Sequence, residues 1–268
     1  MAEFTILSDR AVLSVSGAEA QSFLQGLITN DTAHAEQGLY AALLTPQGKI
    51  LFDFLLLARD GAYLIDCAAD QRAALQKRLT LYRLRAKVEV APRDDLAIAW
   101  AKDPAALPDG YTDPRLPALG TRAFVPAGSG ADGSVAYLAH RLSLGVPEST
   151  DFGQDRMFAL DAGLEELHGV SFNKGCYVGQ ELTARMKHRS TARKRLLLVE
   201  SAGDAPVPAP GTAISAGDVE LGTIVSTYGR YGFAPIRLDR LAEAGAAPAT
   251  ADGHPVMLHK QAWLSSAQ

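Results

Sequence analysis

The stretch FNKGCYVGQE, residues 172–181, sets a lysine, a cysteine, a glutamine and a glutamate around two glycines. Gly175 and Gly179 allow the backbone to turn sharply and to approach a ligand closely around Cys176 and Tyr177. Lys174 precedes the thiol by two residues, and a nearby ammonium favours thiolate. Cys176 and Lys174 are therefore the candidate reactive groups. Tyr177, Gln180 and Glu181 are candidate ligand contacts beside them. A cysteine in a tight turn is equally an ordinary small residue, and local composition leaves the two readings level.

The following segment, RMKHRSTARKR, carries six Lys or Arg residues from Arg185 to Arg195. Three readings stand: a solvated strand or loop, a nucleic-acid surface without the usual interleaved aromatics, or a local anion site led by Arg185. Upstream, Asp53 interrupts an apolar strand, GKILFDFLLL. A carboxylate there is paired, hydrogen-bonded or facing a cavity, and its setting favours a pocket over a strand end at the sheet surface.

Other chemistries are poorly supported. Gly48-Lys49 lacks the upstream glycine of a phosphate loop, and Ile50 replaces its Ser or Thr. His168 and His188 stand eight and twelve residues from Cys176, weak spacing for a Cys–His nucleophile pair. There is no CxxC, and the six histidines are scattered, so no metal site is expected. With a net charge of −4 the chain exerts no global attraction on nucleic acid or an anionic membrane. Its apolar runs are strand-sized, and the amino terminus reads as no secretory signal. Only two cysteines are present, and a reducing cytoplasm is the expected location.

The elements that position these residues follow from patterning. Ala11–Val15 alternates as a strand, and Ser16 with Glu19 forms a capping-box pattern for a helix running to about Gly26. Ala41–Leu44, Ile50–Ala58 and Ala62–Cys67 read as strands joined by turns at Pro46-Gln47-Gly48 and Arg59-Asp60-Gly61. Asp70 caps a helix with Leu75 and Leu79 on its apolar face. Strands at Lys87–Val90 and Leu96–Ala101, loops over 103–117 and a helix at Val135–Leu144 follow. This order suggests an α+β sheet with helices on one side. Beyond Arg195 the texture becomes short strands and turn-rich loops, with a helix around Leu238–Ala244, which suggests a small barrel-like β domain. The expected division is 1–195 and 196–268.

At this point KGCYVGQE resembles the signature of YgfZ-type folate-binding proteins, bacterial relatives of a mitochondrial iron–sulfur cluster assembly factor. The likeness extends along the chain through FLQGLITND (23–31), TPQGKILFDFLL (45–56), YRLRAKVEV (82–90), DPRLPALGTR (113–122) and the block from Gly169 to Val199. It implies the α+β fold shared with the glycine-cleavage T-protein (GcvT-like), two ferredoxin-like halves and a C-terminal β-barrel around a folate pocket. It also implies tetrahydrofolate as cofactor, with iron–sulfur assembly proteins or client enzymes as partners. By that resemblance Asp53 contacts the pterin, and Arg185 with its basic neighbours suits the glutamate tail. Where the T-protein strand carries two adjacent acids, this chain has Phe52-Asp53, and the T-protein lacks the Lys-Gly-Cys-Tyr block. The expectation is an accessory protein for iron–sulfur cluster assembly or repair. A folate-dependent aminomethyltransferase and an RNA-binding scaffold using 185–195 are the alternatives.

Overall fold

The computed structural model describes residues 3–188 and 193–265. Residues 189–192 of the basic segment lie outside the described residues.

Three sheets organise the chain. The first is antiparallel and five-stranded, in the order Leu39–Leu44, Ile50–Arg59, Ala62–Ala68, Arg10–Ser16, Glu89–Pro92. Its strands alternate in the side chains they send to each face. Leu13, Val15, Phe52, Phe54 and Leu56 pack under the helices Ala20–Gln25 and Arg72–Arg83, which contribute Leu24, Leu75 and Leu79. Val12, Tyr40, Ala42, Leu55 and Leu57 face the other way into a larger core shared with the rest of the protein. Covered on both faces, Ile50–Arg59 is buried along most of its length, and apart from Asp53 its sequence accordingly reads as an apolar run up to Arg59.

The second sheet has the order Thr5–Ile6, Leu96–Ala101, Thr121–Pro126, Tyr111–Thr112, flanked by the helix Ser134–Ser143. Leu96–Ala101 thus leaves the sheet that its place in the sequence suggested. The third sheet has seven strands between Lys194 and His259, and Lys194–Ser201 pairs along its length with Tyr231–Arg237. That pairing closes the sheet on itself, which removes its exposed edges. The helix Leu238–Ala244 lies where expected.

Two local expectations are corrected. Ser16 does not cap the first helix: it ends a strand, and Gly17 follows at φ +114°. The helix begins at Ala20 with no side-chain cap, and the Glu19 carboxylate instead accepts the backbone N–H of Lys87 at 2.6 Å. The basic segment is not a uniform strand or loop, because Arg185 lies in the helix Gln180–His188 and Lys194–Arg195 begin a barrel strand. Thr183 is that helix's one buried residue, so no apolar stripe marked it in the sequence.

Candidate functional site

The three sheets meet over a dense cluster of buried charge. From the first sheet come Arg10, Asp53 and Asp66. From the second sheet and its surroundings come Asp113, Arg115, Arg122, Tyr137, Arg141, Glu148 and Asp151, all buried. Arg10 donates to Asp66 at 2.6 Å, and Arg122 donates to Asp66 at 2.7 Å and to Asp113 at 3.1 Å. Arg115 grips Asp113 with two donors and reaches Glu148 at 2.8 Å. The Tyr137 hydroxyl accepts from Arg115 and Arg122 and donates to Glu148 at 2.9 Å. Arg141 holds Asp151 at 2.8 Å, and the other Asp151 oxygen accepts from Ser226 and Tyr228 of the barrel. Buried charges on this scale persist only when paired and hydrogen-bonded. Burial opposes ionisation of Glu148, yet Arg115, Arg141, Arg10 and Arg122 outweigh it and hold this carboxyl well below its usual range. The same contest, decided by Arg115 and Arg122, lowers Asp113.

Asp53 differs from the other acids. Four arginines and four carboxylates of the cluster pair with one another, and Asp53 is a fifth carboxyl without a cation partner among the described residues. Its contacts are two hydroxyls, Tyr40 at 3.0 Å and Ser149. Burial pushes its pKa up, against the hydrogen bond from Ser149 and the pull of Arg10. Ser149 also lines a cleft of about 310 Å³ together with Arg10, Asp70, Tyr137, Arg141, Glu148 and Tyr228. The Asp53 carboxyl therefore sits one hydrogen bond behind the wall of that cleft. It is 2% exposed and is screened from the cleft by Ser149. Neighbouring Phe52 points to the opposite face, into the helix-covered core.

The remaining candidates from the sequence form a separate group, and none lines that cleft. Cys176 is exposed in the loop before the helix Gln180–His188. Lys174 is not directed at the thiol. Its ammonium is buried and donates to the carbonyls of Gln25 and Ile28, both at 2.6 Å, while the Gln25 amide donates back to the Lys174 carbonyl. It also lies 5.0 Å from the centre of the Tyr177 ring. Burial lowers its pKa to about 8. Lys174 thus ties the loop to the end of the first helix rather than activating Cys176, which corrects the expectation drawn from spacing. Tyr177 is buried in the central core, and burial raises its pKa to about 12. Gln180 opens the helix half-buried, while Glu181 and Arg185 are exposed. The other cysteine, Cys67, is buried, with its pKa raised to about 12 by burial.

Gly179 supports this loop through close backbone contact. A Cβ there would lie 2.5 Å from the Thr45 carbonyl oxygen and 3.2 Å from the Gly48 Cα, at φ +83°. Gly48, at φ +78°, faces Gly179 in return. The thiol loop and the turn that leads into the Asp53 strand therefore meet backbone to backbone.

Sequence reasoning found Asp53 but missed the cluster. Asp66 carried the same signal, an acid inside the apolar strand AYLIDCA. Arg115, Asp113 and Arg122 lay within the quoted DPRLPALGTR block.

Comparisons with known proteins come from three directions. Residues 193–266 match the C-terminal β-barrel domain of CAF17. The structure is similar to the glycine cleavage system aminomethyltransferase T from Bartonella henselae, with a TM-score of 0.77 over 98% of this chain and 86% of that one. At 15% identity this likeness establishes the fold, which is GcvT-like with a small C-terminal β-barrel. The chain is 34% identical to the human mitochondrial iron–sulfur cluster assembly factor IBA57, covering 84% of this chain and 72% of that protein. It is 35% identical to the mouse protein, covering 78% and 69%. It is 34% identical to the Neurospora crassa homologue, of which it spans 57% of the length. These relatives are named as mitochondrial, which overturns the cytoplasmic placement. Two unpaired cysteines speak against an oxidising compartment but do not separate one reducing compartment from another. By identity and coverage, the chain belongs to the family of the iron–sulfur cluster assembly factor IBA57.

Proposed function

We propose that this protein is a YgfZ-type, tetrahydrofolate-binding accessory factor that assists assembly or repair of iron–sulfur clusters in client enzymes. The observation that carries the reading is the exposed Cys176, on a chain whose relatives are named iron–sulfur cluster assembly factors. One thiol does not ligate a whole cluster, so cluster contact is shared with a partner chain.

Asp53 and its cleft support the ligand half of the proposal. Its carboxyl has no cation partner and suits the N–H-rich edge of a pterin once Ser149 yields. A cleft of about 310 Å³ lies at the small end of ligand pockets, about 300–1,000 Å³. It fits one ring system, with the glutamate tail directed outward. Arg10 and Arg141 are already engaged with Asp66 and Asp151, and Arg185 stands apart from the cleft, so the tail is assigned to solvent. Tetrahydrofolate would supply a one-carbon carrier there. Phe52, turned into the core, leaves Asp53 without the adjacent second acid of the T-protein and argues against aminomethyl transfer.

Titration calorimetry with tetrahydrofolate tests the ligand. Binding by the wild type should weaken at least about tenfold in Asp53→Ala, from the loss of a charged hydrogen-bond acceptor. No binding by the wild type sinks the folate assignment. Cys176→Ala, assayed for iron–sulfur enzyme activities in cells lacking the native protein, tests the other half. Full rescue by that variant removes the thiol from the function.

A further inference from the structure

The helix Arg72–Arg83 turns an unusual face outward. From Arg72 to Lys87 the chain carries six basic residues and no acid, while the whole protein has a net charge of −4. Arg72 is paired with Asp94, but among the described residues Lys77, Arg78, Arg85 and Lys87 form no ion pair. Lys77, Arg78 and Leu81 recur at helical spacing on one side, opposite Leu75 and Leu79, which are buried. Leu81 is 61% exposed, and Leu84, just past the helix end, is 87% exposed. Leu84 also holds φ +46°, a backbone conformation that non-glycine residues rarely adopt. With ψ −104° it lies outside the left-handed cap that glycine commonly supplies at a helix end, and glycine alone adopts positive φ freely. Here a leucine occupies the strained position and projects into solvent between Arg83 and Arg85.

We propose that this face docks an acidic protein partner, which seats Leu81 and Leu84 in an apolar recess framed by carboxylates. Charge complementarity selects the partner, and the two leucines supply the desolvated centre that such interfaces need. An anionic membrane is a poorer occupant, because the helix has already spent its apolar stripe on the sheet and offers two leucines where a surface helix offers a whole face. RNA lacks a stacking platform here, since Tyr82, the segment's aromatic residue, packs against the core. The inference does not depend on what occupies the Asp53 cleft.

The test uses the full chain and four probes at low salt: a fluorescent glutamate-rich glutamate–leucine copolymer, polyglutamate, phosphatidylserine vesicles and polyuridine. The copolymer should bind the wild type, and binding should weaken about tenfold or more in Lys77→Glu/Arg78→Glu/Arg85→Glu. Leu81→Ser/Leu84→Gly should weaken the copolymer by about tenfold and leave polyglutamate unchanged. Because Leu84→Gly relieves strain, its melting temperature should not fall, which separates lost docking from unfolding. Equal copolymer affinity in all three proteins overturns the proposal. Tighter binding of vesicles or polyuridine than of the copolymer, through these same residues, overturns it as well.

Discussion

Replacing Arg122 by methionine tests whether the buried charge cluster holds the three sheets together. Arg122 is fully buried and donates to Asp66, Asp113 and the Tyr137 hydroxyl. Each hydrogen bond to a charged group contributes about 1.5–3 kcal/mol. Two such bonds are lost, and Asp66 keeps Arg10 while Asp113 keeps Arg115. A net loss of about 3–5 kcal/mol follows, the usual cost of removing one partner from a buried ionic group. For a chain of this size that lowers the melting temperature by roughly 6–20 °C. The matched control is Arg93→Met, which removes an exposed, solvent-screened pair with Asp95 and should lower the melting temperature far less. The pH dependence has a defined sign. Asp113 is lowered in the folded protein, so its stabilising contribution is present above the ordinary carboxylate range and fades as pH falls through its folded value. In the variant this contribution shrinks, so the gap to wild type should be widest near neutrality and should narrow in acid. Thermal melts of both variants across pH provide the measurement. An Arg122→Met loss no larger than that of Arg93→Met would refute the reasoning.

Three further outcomes follow from the same geometry. Asp53 is raised in the folded state, so its contribution is favourable below the unfolded pKa and is lost as pH rises through the folded one. Asp53→Asn should therefore melt above wild type at alkaline pH, with the advantage shrinking towards pH ~4. Lys174→Met leaves the Gln25 and Ile28 carbonyls without their donor and should cost about 1–3 kcal/mol in urea unfolding. The pH dependence of Cys176 alkylation should remain that of the wild type; a shifted profile would restore Lys174 as the thiol's activator. Gly179→Ala places a methyl against Thr45 and Leu44 at positive φ and should destabilise by roughly 1–3 kcal/mol; an unchanged urea midpoint would count against that close contact.

Strand positions were legible because Ile50–Arg59 and its neighbours are long apolar runs bounded by turn residues. Asp53 was legible for the same reason, as an acid against an apolar background. Arg10, Arg115, Arg122 and Arg141 were not, since each stands alone at a strand end, in a loop or in a helix, and 131 positions separate the first from the last. Only the folded chain brings them onto the same carboxylates. Ser16 misled because the capping-box pattern Ser16-Gly17-Ala18-Glu19 does not reveal the conformation of its glycine, whose positive φ keeps the chain out of the helix until Ala20. Spacing also misled at Lys174, because proximity in sequence says nothing of where a long side chain finds its acceptors. The family blocks marked the loop, and the structure gave Lys174 its anchoring role.

The backbone contact between Gly48 and Gly179 has a thermodynamic corollary. The turn at Gly48 runs directly into the strand of Asp53, so a ligand that draws this strand towards the cleft also shifts the support beneath Cys176. Where such coupling exists it is reciprocal: a partner docked at the thiol and a molecule in the cleft change each other's affinity by one common factor. Measured as a partner's affinity at the Cys176 loop with and without saturating tetrahydrofolate, the ligand proposed for the cleft, that factor reads the coupling directly.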